Sequence, residues 1–114
     1  MSLWVRAYYV DAQGAAHNIP LASNLAGLES TRGSFFGSAF VRSCGAKLLP
    51  LLSEQAILTI GGSELRELRV EIASLQRAIV GREDEEYWAL RLANIDAAID
   101  CAESHGSSGW VEIA

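Results

Sequence analysis

Five apolar side chains, Leu65, Leu68, Ile72, Leu75 and Ile79, follow one another at spacings of three and four residues. Only a helix brings such a set onto one face. If each side chain is worth roughly 2 kcal/mol when buried, the stripe is worth on the order of 10 kcal/mol before entropy, far beyond any propensity effect. This helix must therefore pack on something. A matching stripe follows in Trp88, Leu92, Ile95, Ile99 and Ala102. Ser63 and Asp84 stand where helix caps belong, Glu64 and Glu67 suit a positive helix end, and Gly81 and Gly106 end the two segments. An antiparallel helical hairpin from Ser63 to His105 is predicted.

The start of the chain has a different period. Leu3, Val5, Ala7 and Tyr9 alternate with Trp4, Arg6, Tyr8 and Val10, as in a strand with one face buried. Asp11-Ala12-Gln13-Gly14 offers a turn, and Ala16 to Ile19 returns as a second strand that Pro20 confines to an edge. Ala22 to Ser34 has no sustained period and is read as a loop. Phe36, Phe40, Cys44 and Leu48 recur every fourth residue and predict a helix ending near Pro50. Gly37 and Gly45 on that helix imply close packing of another backbone. Ala56 to Ile60 is a short branched apolar run closed by Gly61-Gly62, and Trp110 to Ala114 alternates again; both are predicted strands. The order is β-β-α-β-α-α-β. It describes an α+β fold over residues 1–114, one domain, with a small, mostly antiparallel sheet and three helices packed on one face.

Size and composition agree with that reading, since 114 residues, half of them hydrophobic and a fifth charged, suffice for one core without metal or disulfide support. Cys44 and Cys101 lack CxxC spacing and are expected to be reduced and buried. No secretory leader pattern or long apolar run is present, so a cytoplasmic protein with no membrane partner is expected. Eight arginines beside the single Lys47, with abundant alanine, point to a GC-rich bacterial source. The net charge of −5 arises wholly between Ser63 and His105, which argues against nucleic acid and allows a basic partner.

No catalytic or cofactor signature emerges. His17 and His105 lack partners at metal-ligand spacing, and His105 suits the negative end of a helix. The serine-glycine clusters at 33–37, 61–63 and 106–109 miss the G-x-S-x-G elbow, and Lys47 precedes Leu48 where a phosphate loop needs Ser or Thr. Neither a cofactor nor a metal is expected. Two surface features remain. Glu83, Asp84, Glu85 and Glu86 open the last helix and Asp96, Asp100 and Glu103 continue along it, an acidic ridge that is either a solvated face or a surface attracting a cationic partner. Trp4, Tyr8 and Trp110 project from the outward face of the sheet, either beneath the Ala22 to Ser34 loop or as an exposed patch. If the end strands are neighbours, Arg6 and Glu112 pair across them.

The layout of a strand pair, a loop closing in Arg32-Gly33-Ser34-Phe35-Phe36-Gly37-Ser38, an apolar helix and the acidic hairpin Glu64 to His105 resembles small immunity proteins of bacterial toxin systems. The resemblance implies a small, acidic, non-catalytic cytoplasmic protein that neutralises a cognate toxin by binding it. A basic toxin domain meeting the acidic hairpin is the expected partner. The alternatives are a ligand binder or enzyme using Tyr8, Glu29 and Arg32 beneath the 22–34 loop, and a structural homodimer formed through Trp4, Tyr8 and Trp110 or through edge strands.

Overall fold

The computed structural model describes residues 1–114. The five strands are β1 (Ser2–Val10), β2 (Ala16–Ile19), β3 (Leu25–Leu28), β4 (Leu58–Gly61) and β5 (Gly109–Ile113), and the helices are α1 (Ala39–Ser43), α2 (Glu64–Ala78) and α3 (Glu85–Glu103). All strand pairs are antiparallel, in the order β2-β1-β5-β4, with β3 pairing the first half of β1. The first and last strands are thus neighbours, and Arg6 lies directly opposite Glu112. The α+β class and the element order agree with the sequence reading, with β3 added.

The two helical stripes meet in one core. Leu65, Leu68, Ile72, Leu75 and Ile79 of the α2 segment are buried, as are Trp88, Leu92, Ile95, Ile99 and Ala102 of α3. Helix α3 lies over β1 and β5, while α2 packs on α3 and β4. Leu3, Val5 and Ala7 supply the floor from β1, and Val111 and Ile113 from β5. The cap positions are as expected, yet neither the Ser63 nor the Asp84 side chain bonds its helix end. Cys44 and Cys101 are free thiols and only half-buried, so the expectation of full burial does not hold. No helix is long and apolar enough to cross a membrane.

Two stretches differ from the sequence expectation. The helix predicted from Phe36 to Leu48 is broken into a π-helical turn at Arg32–Phe36, the short α1, and a 3-10 turn at Leu49–Ser53. The glycines decide this. A Cβ on Gly37 would sit 2.6 Å from that of Ser53, and Gly45 has φ +88°, which no α-helix contains. The Ser38 hydroxyl restarts the chain by accepting the Val41 N–H at 3.2 Å. The 22–34 segment is not a plain loop either. Leu25–Leu28 pairs with Ser2–Trp4 through a register shift, and behind this pairing Gly27 is packed so closely on Thr31 that a Cβ there would lie 2.7 Å from the hydroxyl. This segment extends the edge of the sheet and leaves the outward face open.

Candidate functional site

The acids of the predicted ridge fall into two patches. Asp84 and Asp100 lie 16 residues apart along α3, about 24 Å at the helical rise. At the start of α3 much of the charge has local work. Asp84 pairs with Arg82 at 2.9 Å, which holds its carboxyl below the usual range, and Glu85 accepts the Gly81 N–H at 2.8 Å. Arg82 also lies 4.0 Å over the Phe40 ring. The Glu83 and Glu86 side chains are exposed and enter no ion pair within the chain.

At the other end the geometry converges. Arg69, one turn along the α2 surface from the buried stripe, reaches across the hairpin to three carboxylates. Its guanidinium donates to Asp96 at 3.0 Å, to Asp100 at 2.6 Å and to Glu103 at 2.6 Å. Glu103 and Asp100 raise its already high pKa, in that order. Three anions on one cation leave a surplus of negative charge that stays wet, with the Asp100 side chain 67% exposed. Glu64 and Glu67 lie exposed at the same end of the hairpin, and Arg66 shares a shallow depression with Glu103. The spacing of Asp96, Asp100 and Glu103 was visible in the sequence. That one arginine gathers them was not, because it depends on how α2 and α3 are offset.

The open face of the sheet holds Trp4, Tyr8 and Trp110. Trp4 is 48% exposed, whereas Tyr8 and Trp110 stack at 6.4 Å with an interplanar angle of 11°. Trp110 lies flat because its neighbour across β4 is Gly61, where a Cβ would come within 2.4 Å of the indole. Between the two aromatic rows Arg6 donates to Glu112 at 3.0 Å and to Asn18 at 2.7 Å, and its guanidinium sits 4.7 Å over Tyr8. Burial lifts the Tyr8 phenol above its ordinary value, Glu112 adds to this, and Arg6 opposes it.

The residues of the alternative ligand site do not converge. Arg32 forms a two-pronged pair with Glu29 at 2.8 and 3.3 Å and spends its remaining donors on the carbonyls of Leu52, Gln55 and Ala56. It is a staple between two segments. Tyr8 belongs to the open face instead. The largest surface depression, about 430 Å³, lies between the start of α2 and the end of α3 and opens to solvent. No three His, Cys, Asp or Glu side chains gather at metal-ligand distance.

Comparison with protein-family profiles, curated proteins and solved structures finds no match to this chain. What the site can do rests on its geometry.

Two arrangements carried no sequence signal. Glu71, only 8% exposed, projects from α2 and accepts the backbone N–H groups of Lys47, Leu48 and Leu49 at 2.9–3.1 Å. At the far end of the sheet Tyr9 is sandwiched between His17, at 5.0 Å, and His105, at 4.2 Å, while His17 bonds Asp11 at 2.6 Å. His105 thus lies just past the end of α3, stacked on Tyr9.

Proposed function

We propose that this chain is a non-catalytic binding protein of the immunity type, which neutralises a basic toxin domain by covering it with the acidic end of the α2–α3 hairpin. The observation that supports this reading is the clamp of Asp96, Asp100 and Glu103 on Arg69. The guanidinium holds three flexible acids in one arrangement, so their rotamer entropy is spent in folding, before a partner arrives. The surplus negative charge steers a cationic surface toward the site. The free donors of a partner's Arg or Lys would then share the same carboxylate oxygens. A bacterial cytoplasmic setting belongs to the same reading.

The test replaces Asp100 with Asn and Glu103 with Gln, leaving Asp96 to retain Arg69. Association with the product of the adjacent gene is followed by stopped flow across a salt series. The expected result is an association rate about tenfold lower at low salt, converging with the wild type at high salt. An unchanged rate at low salt, or no complex with the wild-type chain at micromolar concentration, overturns the reading.

A further inference from the structure

We infer that the open face of the sheet binds a second copy of this chain, face to face, about a two-fold axis parallel to the strands and midway between β1 and β5. The inference does not depend on the acidic hairpin or its partner. It starts from charge. The chain carries −5, all of it between Ser63 and His105, so two copies repel wherever their hairpins face one another. On the open face the only charges are Arg6 and Glu112, which cancel as a pair at 3.0 Å. Here two copies can approach without like charges meeting.

The register supplies the complementarity. Arg6 is opposite Glu112 and Tyr8 opposite Trp110, and Trp4 exchanges two backbone hydrogen bonds with Ala114. A two-fold axis between β1 and β5 exchanges these columns, so that each β1 residue of one copy lies over its β5 partner in the other. Arg6 then lies over Glu112 of the second copy, and the reverse, making a closed quartet of alternating charges. Tyr8 lies over Trp110, and Trp4, the largest exposed ring, lies over Ala114, the smallest side chain in its row. Ile57, 55% exposed and one register step beyond the Leu58 and Ile113 pair, widens the apolar row beside Ala114. Trp4 meets Ala114, ring meets ring and plus meets minus under one operation.

Four strands at about 4.8 Å by about 20 Å of strand length give roughly 400 Å² in plan, or on the order of 1,000 Å² of accessible surface over both copies. That is the lower end for a specific interface and fits a weak, transient dimer.

Sedimentation velocity of the whole chain from about 1 μM to about 1 mM should show a monomer passing to a dimer in that range. Trp4→Glu, on an exposed side chain, should stay monomeric throughout while keeping the wild-type circular dichroism. The double charge swap R6E/E112R supplies a second measure, because it preserves the pair within each copy. Labelled swapped chains should associate with one another at least as well as one-tenth of wild type, and should fail to associate with wild type. A wild-type monomer at 1 mM, a Trp4→Glu dimer of unchanged affinity, or free mixing of swapped and wild-type chains each overturns the proposal. If the wild type stays monomeric and Trp4→Glu abolishes binding to the adjacent gene product, the face belongs to that partner and the second-copy assignment falls.

Discussion

The carboxylate of Glu71, midway along α2, accepts the backbone N–H of Leu48 at 2.9 Å. With the neighbouring N–H groups of Lys47 and Leu49 also bound, one buried side chain serves as the cap for the 3-10 turn that follows α1. It ties that irregular segment to the hairpin core.

Removing this carboxylate leaves three amide groups without partners. Hydrogen bonds to a charged acceptor are worth about 1.5–3 kcal/mol, and orphaned donors add their desolvation cost. Glu71→Ala should therefore lower stability by about 3 kcal/mol, read as a lower urea midpoint with the slope unchanged. Glu71→Gln keeps one acceptor oxygen and should lose less than half as much. Equal losses for the two variants would mean that packing, and not hydrogen bonding, governs the position.

Two glycines on the strands beside the open face should respond differently to the same added methyl. At Gly109 a Cβ would lie 1.7 Å from the Ala102 carbonyl oxygen, backbone against backbone. Neither side can yield without separating β5 from α3, so Gly109→Ala should cost about 3 kcal/mol or more. At Gly61 the obstacle is the Trp110 ring at 2.4 Å, which can swing outward. Gly61→Ala should cost about 1 kcal/mol and shift tryptophan emission to longer wavelength as the indole lifts into water. Thermal melts and fluorescence spectra separate the two cases.

Acid should weaken the β1–β2 turn through Asp11. Its carboxylate takes a hydrogen bond from His17 and two from the Ala15 and Gln13 amides, and these hold it below its ordinary 3.8. Because the unfolded chain binds that proton more readily, the stabilisation is complete above the unfolded value and fades as pH falls through the folded one. The gap between wild type and Asp11→Asn should hence be full at about pH 5 and shrink below 3.8. Urea midpoints at pH 5 and pH 3 measure it. A gap that widens on acidification would contradict the assignment.

Periodicity alone determined the hairpin of α2 and α3, the alternation of β1 and β5, and the outward placement of Trp4, Tyr8 and Trp110. Each follows from a repeat of 3.6 or 2 residues within one segment, and burial of a continuous stripe outweighs local competition. The pairing of Arg6 with Glu112 was legible too, once the two ends were taken as neighbours. The register of Phe36, Phe40, Cys44 and Leu48 misled, because Gly45 at φ +88° and the crowding of Gly37 against Ser53 override helical spacing. β3 was hidden for a related reason. Leu25-Ala26-Gly27-Leu28 has no alternation of its own and becomes a strand only where β1 has free backbone groups to offer it.

Tertiary structure alone decided the rest. Arg69 meets Asp96, Asp100 and Glu103, Phe35 stacks on Trp88 at 3.7 Å, and Glu71 finds three amides more than twenty residues away. These contacts depend on the offset between packed elements, set by how side chains interlock across the core and not by any one segment's pattern. A sequence states which face of an element is apolar; it is the close packing of those faces that determines which charges end up side by side.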